Sequence, residues 1–237
     1  MRVAYEHQLQ ELSDIVVTMA SMVDKAIARA VESLRNQDLA LAADVRRADN
    51  EINALQRRGE EMAVLLIATQ GPMAGDVRHI ASAMSILSNL ERMGDYASGI
   101  AKIVIEMRAE APLKPLISLP LMAQISRGML TEAVTAYIEH DADAARQIAV
   151  RDDQVDDLYD DIFQELVGFM QRDPTTIPRA TRLLWVAHNI ERIADRVTNI
   201  CERVVYTKTG EFEELDGGRR ERQSLIYLDP SNKGGFQ

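Results

Sequence analysis

The sequence repeats itself at a separation of one hundred residues. The segment NLERMGDYASGI, which begins at Asn89, returns as NIERIADRVTNI from Asn189, with Asn, Glu, Arg, Asp and the final Ile at matching places. Residues 28–58 also align with residues 131–161 at an offset of 103. A repeat of this length indicates that one supersecondary unit has been duplicated. Whatever fold one unit adopts is therefore predicted for the other.

Apolar periodicity predicts that each unit consists of helices. The clearest stripe runs from Leu183 to Val204, with apolar residues alternately three and four positions apart. This spacing is typical of a helix that packs one face against neighbouring helices. Polar breaks, glycines and prolines separate six such stripes. The predicted helices cover residues 5–35, 38–69, 75–108, 120–139, 141–171 and 177–207.

The connections predict how these helices are arranged. Short loops force successive helices to run in opposite directions, and few β-branched alternations leave little room for a sheet. Residues 109–120, which include three prolines, divide the two units. We therefore predict an all-α protein, a tandem duplication of two antiparallel three-helix bundles. The first bundle covers residues 1–112, the second covers 113–210, and 211–237 form a flexible C-terminal tail.

Composition excludes several classes of protein. The net charge of −10 argues against nucleic-acid binding, because neutralising phosphates requires a basic surface. The longest apolar run, residues 62–68, is far shorter than the roughly 20 residues that span a bilayer, and the N-terminus lacks a signal-peptide pattern. We expect a cytoplasmic protein that does not insert into the membrane. The single cysteine, Cys201, cannot form an internal disulfide and is expected to pack between helices.

Each copy of the repeated segment carries a pair of carboxylates. Glu91 and Asp95 are four residues apart, as are Glu191 and Asp195. Residues at this spacing project from one face of a helix. Such a pair is also common on an ordinary solvated helix surface, because the repulsion costs only roughly 0.2–0.5 kcal/mol. A metal site and a solvated acidic surface therefore both remain open.

The distance of each side chain from the turn adds information about which residues meet. Asn53 and Glu91 each lie nineteen residues from Pro72, one before it and one after it. Asp49 and Asp95 each lie twenty-three residues from it. Equal separations mean equal height in an antiparallel hairpin, since both helices rise by about 1.5 Å per residue. The second unit repeats this arrangement around its own turn to within one residue. Two clusters are predicted: Asp49, Asn53, Glu91 and Asp95 in the first unit, and Asp152, Asp156, Glu191 and Asp195 in the second.

The chemistry of these clusters favours hard cations. Carboxylate and amide oxygens, with no thiolate nearby, suit Mg²⁺, Mn²⁺, Ca²⁺ or oxidised iron. The second unit has Asp156 where the first has Asn53, so we predict that it binds metal more tightly. The Glu-x-x-His motifs of di-iron bundles do not occur in the sequence. His79 and His188 are therefore interpreted as helix-surface or packing residues.

These motifs resemble one known family. The NLERMGD and NIERIAD segments stand in register with Asp49 and Asp152, and the first follows a Pro-then-Asp-x-Arg turn at Pro72 and residues 76–78. By these motifs the chain is similar, from about residue 5 to residue 210, to the PhoU family. Members of this family are phosphate-transport accessory and regulatory proteins of bacteria. It departs from the family pattern at Asn53, and again at Gly99, where the second copy keeps Asn199.

The resemblance implies a function and a set of partners. It implies a negative regulator of phosphate uptake and of the phosphate-starvation (Pho) regulon, a non-catalytic adaptor between the phosphate ABC transporter and a sensor histidine kinase. The partners would be the transporter ATPase and the kinase, which would hold the protein at the inner membrane, and a homodimer is expected. Iron, manganese, magnesium or zinc ions would occupy the carboxylate clusters.

Two other hypotheses are compatible with the same residues. The carboxylates could hold cations that activate water in a metal-dependent phosphohydrolase, with Arg92 and Arg192 as conceivable ligands of a substrate phosphate. Alternatively, the protein is a helical scaffold that binds no metal.

Overall fold

Seven α-helices and one 3-10 turn, with no strand, make up the part of the chain that this computed structural model describes, residues 2–107 and 113–215. The all-α prediction is confirmed. The helices are α1 (Arg2–Asn36), α2 (Leu39–Gln70), α3 (Ala74–Met107), α4 (Ser118–Glu139), α5 (Ala142–Ala149), α6 (Asp152–Arg172) and α7 (Ile177–Thr209). The 3-10 turn, Pro174–Thr176, leads into α7.

The helix predicted for residues 141–171 is in fact two helices. The chain turns at Val150 and Arg151, where the Arg151 N–H donates to the Ile148 carbonyl at 3.0 Å. The Arg151 guanidinium also donates to Glu132 of α4 at 2.6 Å, which ties the turn to the neighbouring helix. In the first unit, α2 passes the equivalent position without a break. The prediction of one continuous helix was wrong because a contact with α4, rather than a local breaker residue, accompanies the turn.

Equivalent residues start the second helix of each unit. The carboxylates of Asp38 and Asp141 accept hydrogen bonds from backbone N–H groups of the following turn, at 2.9–3.0 Å. Such N-caps satisfy donors that a helix terminus leaves without partners. The residues just before them, Gln37 and His140, adopt the left-handed conformation, with φ of 54° and 53°. The predicted polar breaks are therefore tight, capped turns of the same geometry.

The apolar stripes form the core. α1, α2 and α3 pack together as one bundle, and α4 to α7 pack as another, as predicted. All seven apolar residues of the stripe from Leu183 to Val204 are at most 2% exposed. Cys201 is also fully buried, in agreement with its predicted packing role.

The two bundles join through equivalent helices. α3 packs along α7, and α1 packs against α4. Asp24 and Arg127, which the repeat offset of 103 makes equivalent, form a two-pronged ion pair at 2.7 and 2.9 Å. Where α3 packs along α7, a Cβ on Gly99 would lie only 3.2 Å from the side-chain oxygen of Asn189. The departure from the family pattern at Gly99 therefore has a packing reason.

The end of the described chain lies against the second unit. The Phe212 ring stacks on Tyr206 at 4.1 Å, and the Glu213 carboxylate accepts from Arg146 at 2.9 Å. Phe212 and Glu213 thus make specific contacts with the second unit, and the flexible tail predicted for 211–237 stays a prediction. The remainder of the tail, 216–237, lies outside the described residues, and the division into 1–112 and 113–210 stays a prediction. None of the described helices is both long enough and apolar enough to cross a bilayer.

Candidate functional site

The structure brings the four predicted side chains of the first unit together. Asp49 and Asn53 project from α2, and Glu91 and Asp95 project from α3. The Asn53 amide donates to an Asp49 oxygen at 3.5 Å. Burial raises the pKa of Asp49, and the nearby charge of Asp95 raises it further. Burial likewise raises the pKa of Glu91, with added contributions from Asp95 and Asp49. Three carboxylates therefore repel one another in a half-buried setting.

Two oxygen atoms of this cluster suit a cation. Among the described residues, no donor hydrogen-bonds to Asp49 Oδ1 or Asn53 Oδ1, although both atoms are buried. Such atoms cost free energy because their solvation is lost without replacement. A hard cation takes oxygen ligands of this kind and offsets the repulsion between carboxylates. The donor set of the first unit therefore fits a metal ion chemically.

An arginine accompanies the carboxylate pair in each unit. Arg92 donates to Asp95 at 3.4 Å, and Arg192 donates to Asp195 at 3.0 Å. Both arginines are thus turned toward a carboxylate of their own helix. These ion pairs offset part of the repulsion within each pair.

The second cluster has a different setting. Asp152 is buried at the first turn of α6, where the helix dipole favours a negative charge. Asp156, on the next turn of α6, is half-buried, and Asp195 faces Arg192 as described. The Glu191 carboxylate lies 3.3 Å from His188 Nδ1. His188, interpreted from the sequence as a surface or packing residue, is therefore also a neighbour of the site.

In neither unit is a metal site preformed. Within residues 2–107 and 113–215, no three His, Cys, Asp or Glu side chains are placed so that they could hold a metal ion as they stand. Metal binding would require side chains to rotate toward a common centre. The metal sites therefore stay a prediction.

A feature that sequence reasoning missed lies beside the second cluster. Four side chains form a row from α6 to α7, which we call the aromatic row: Phe163, Tyr159, His188 and Trp185. Successive ring centroids are 6.5, 6.4 and 5.8 Å apart. Trp185 is 57% exposed and Phe163 is 40% exposed. Comparing the two repeats position by position would have shown that this aromatic set occurs in one unit only.

A polar cleft lies between the two units. His79 of α3 is 3.2 Å from the Ser13 hydroxyl of α1 and 3.3 Å from the Tyr137 hydroxyl of α4. The His79 ring also stacks on Tyr137, with centroids 5.5 Å apart. Burial lowers the pKa of His79, and the neighbouring His140 lowers it further. His79 is thus a packing residue, as expected, and it links both units.

Comparison with known protein families gives a match for both halves of the chain. The sequence profile of the PhoU domain matches it twice, over residues 16–104 and 119–204. A phosphate-specific transport system accessory protein PhoU homolog from Aquifex aeolicus is 38% identical over 205 residues, 86% of this chain and 93% of that protein. A homolog of the same name from Clostridium acetobutylicum is 35% identical over 91% of this chain and 99% of its own.

Solved structures agree with this assignment. The crystal structure of the phosphate transport system regulatory protein PhoU from Streptococcus pneumoniae has a TM-score of 0.83 and 33% identity, and it covers 88% of this chain and 99% of that one. PhoU from Pseudomonas aeruginosa also has a TM-score of 0.83, at 32% identity, with 87% of this chain and 100% of that one covered. With both units matched and the whole helical framework shared, the chain belongs to the PhoU family.

Proposed function

We propose that this protein is an accessory and regulatory protein of phosphate transport. In this role it lowers phosphate uptake and represses the phosphate-starvation regulon as a non-catalytic adaptor between the phosphate ABC transporter and a sensor histidine kinase. The observation that carries the proposal is the match of both units to the PhoU domain, together with relatives named as phosphate transport accessory proteins along most of the chain.

The arginines support an adaptor rather than a phosphohydrolase. A hydrolase would need a positive group to bind the substrate phosphate, and Arg92 and Arg192 are the candidates beside the carboxylates. Each donates instead to the aspartate three residues further along its helix. The phosphohydrolase hypothesis therefore gains no support from the geometry.

Charge and surface support docking to partners. The chain carries a net charge of −10, which would suit docking onto basic surfaces of the transporter ATPase and of the kinase. Docking of this kind would hold a cytoplasmic protein at the periphery of the inner membrane. Self-association into a homodimer is part of the same proposal, because closed twofold assemblies are the commonest oligomers.

A pull-down tests the adaptor function. The protein is immobilised and exposed separately to the purified transporter ATPase and to the cytoplasmic domain of the kinase, with an unrelated protein of similar net charge as the control. We expect both partners to be retained, and retention to weaken as salt screens the charges. Repeated failure with both partners at low salt would contradict the adaptor function.

We further propose that the carboxylate clusters bind hard cations, among which iron, manganese, magnesium and zinc are the candidates. The ligands would come from the eight predicted side chains: Asp49, Asn53, Glu91, Asp95, Asp152, Asp156, Glu191 and Asp195. A bound cation supplies positive charge that neutralises the repulsion between carboxylates and cross-links two helices of a unit.

Elemental mass spectrometry tests the metal proposal. Protein purified without chelators or a histidine tag is compared with a variant in which Asp152, Asp156, Glu191 and Asp195 are all replaced by Ala. Stoichiometric metal that falls in the variant would support the second-unit site. Absence of metal from both proteins, even after incubation with each candidate ion, would leave these carboxylates as a solvated acidic surface.

A further inference from the structure

The aromatic row has no counterpart in the first unit. The first unit has polar side chains at the equivalent positions, Gln56, Glu60, Ser85 and Ser88 in place of Tyr159, Phe163, Trp185 and His188. Both units build the same antiparallel bundle, so the fold does not require aromatic side chains there. Exposed aromatic side chains that the fold does not require are typical of binding surfaces, and tryptophan and tyrosine are enriched at interface hot spots.

Acidic side chains are concentrated on α6, the helix that supplies Tyr159 and Phe163 of the row. Residues 152–165 of α6 include seven Asp and Glu and no Lys or Arg, whereas the equivalent residues 49–62 include four acidic and two basic side chains. Two basic groups close to this segment are already in ion pairs: Lys114 with Glu165, and Arg192 with Asp195. A negative field around an apolar surface repels acidic partners and favours basic ones.

The row also has a direction. It begins on α6 at Phe163, crosses to α7 at His188 and ends at Trp185. An amphipathic helix presents apolar residues at intervals of three and four, which suits a groove between two helices. We propose that the aromatic row and the carboxylates of α6 form a docking surface for a basic amphipathic helix of a partner protein. This inference rests on the proposed adaptor function and names one surface through which it works.

The intrinsic fluorescence of the protein tests the surface directly, because Trp185 is its single tryptophan. The probe is a synthetic Leu/Lys amphipathic peptide of about 18 residues, or about five helical turns. We expect its addition to shift the Trp185 emission to shorter wavelength in a saturable way, and the affinity to fall as salt is added. A Leu/Glu peptide with the same apolar pattern is expected not to bind. Equal binding of the two peptides would overturn the proposal.

Two substitutions give the second unit the residues of the first. The Phe163→Glu, Trp185→Ser double variant is compared with Val64→Ser, which alters an apolar side chain of α2 that is 56% exposed. The fluorescence polarisation of a labelled Leu/Lys peptide measures the affinity, and circular dichroism confirms that the variants are folded. The double variant should bind at least about tenfold more weakly, and Val64→Ser should bind like the wild type. Wild-type affinity in the double variant would overturn the proposal.

Further outcomes separate this inference from the adaptor function. If the double variant still retains the transporter ATPase and the kinase domain, the docking surface is wrong and the adaptor function stands. If neither partner binds the wild type but the basic peptide binds at the row, the function fails and the surface stands. An emission shift with phosphatidylcholine vesicles but not with the peptide would assign the row to a membrane. A dimer that light scattering finds in the wild type but not in the double variant would assign the row to contact with a second copy of this chain. Either of these last two results would overturn the proposal.

Discussion

The two units share one helical framework but differ in what they expose and in where their helices are interrupted. In the first unit, α2 runs past Asp49 without a break, whereas the second unit turns at Val150 and Arg151 before α6 begins at Asp152. The second unit carries the aromatic row, of which Phe163 and Trp185 are exposed, where the first carries polar side chains. The duplication has kept the helical framework and has changed much of the surface. This is expected where packing constrains the core and binding constrains the surface.

Because the two units are joined in one chain, equivalent residues at the contact between them can differ. Asp24 and Arg127 are equivalent residues that face each other across α1 and α4. In a symmetric dimer of single units, the same residue would meet itself, and equal charges would repel. The duplicated chain places opposite charges there instead. Gly99 likewise leaves room for Asn189, while the position equivalent to Gly99 keeps an asparagine.

The largest expected difference between the units concerns the equivalent residues Gly59 and Ile162. A Cβ on Gly59 would lie 2.4 Å from a Leu87 methyl carbon, whereas Ile162 is a core side chain that is 1% exposed. Ile162→Ala should lower the free energy of unfolding by about 2–5 kcal/mol, because it leaves a cavity. Gly59→Ile should lower it by about 1–3 kcal/mol or more, because the core is overpacked. Denaturant titration followed by circular dichroism measures both.

Gly75→Ala is the matched control for the glycine substitution. Apart from its own stretch of helix, the described part of the chain has no heavy atom within 4 Å of the Cβ that this change would add. We expect a change in the free energy of unfolding within about 0.5 kcal/mol. If Gly59→Ile were tolerated as well as Gly75→Ala, the two units would not differ in their packing at this position.

Metal affinity is the next test of the difference between the units. Glu191→Ala should weaken binding more than Glu91→Ala does, because the second unit supplies Asp156 where the first supplies Asn53. Isothermal titration of chelator-treated protein with Mn²⁺ measures both variants. We expect affinities that differ by about tenfold, which corresponds to about 1.4 kcal/mol.

Exchanging the residue that distinguishes the two clusters provides the control. Asn53→Asp should strengthen binding in the first unit, and Asp156→Asn should weaken it in the second, because charge is added or removed at equivalent positions. A larger loss from Glu91→Ala than from Glu191→Ala would reverse the predicted ranking.

Much of the fold could be predicted from the sequence because it depends on local periodicity. The stripe from Leu183 to Val204 is buried as predicted, and the caps at Asp38 and Asp141 fall at the predicted breaks. The turn at Val150 could not be predicted, because it contains neither glycine nor proline and is accompanied by the contact between Arg151 and α4.

The sequence was enough to predict how far along the bundle each candidate ligand lies, but not how its side chain is oriented. The fixed rise of a helix was enough to place Asp49 and Asn53 level with Glu91 and Asp95. The contact between His188 and Glu191 depends on rotamers set by neighbouring side chains, and residue spacing does not encode these. The aromatic row was missed for a related reason, since its members come from two helices and meet only when these pack.

A charge exchange tests how the units are joined. Asp24→Arg should lower the free energy of unfolding by about 1 kcal/mol, because a partly exposed two-pronged ion pair becomes a pair of like charges. The double variant Asp24→Arg, Arg127→Asp should recover most of this loss. Thermal unfolding of the single and double variants measures the effect. If the double variant were no more stable than Asp24→Arg alone, the pair would not contribute to the contact between the units.

The dependence of stability on pH is the smallest expected effect, and it concerns the cleft between the units. Neutral His79 of the first unit contacts the Tyr137 hydroxyl of the second, and burial lowers the pKa of His79. The unfolded chain, with a His pKa of about 6.5, therefore binds a proton more readily than the folded protein does. The contribution of neutral His79 to the free energy of unfolding is complete above about pH 6.5. It is lost as the pH falls from there toward the lower pKa that His79 has in the folded protein.

Replacing His79 by Gln removes this titration while it keeps a polar side chain in the cleft. One proton contributes at most about 1.4 kcal/mol per pH unit to the slope of stability, so the expected effect is a fraction of that. Urea titrations at pH values from about 7.5 to 5.5 should show that wild type loses more stability on acidification than His79→Gln does, because only the wild type has this proton to bind. Parallel curves for the two proteins would mean that His79 joins the units by packing alone. A steeper fall in the variant would mean that protonated His79 stabilises the cleft, which would contradict the sign of its pKa shift.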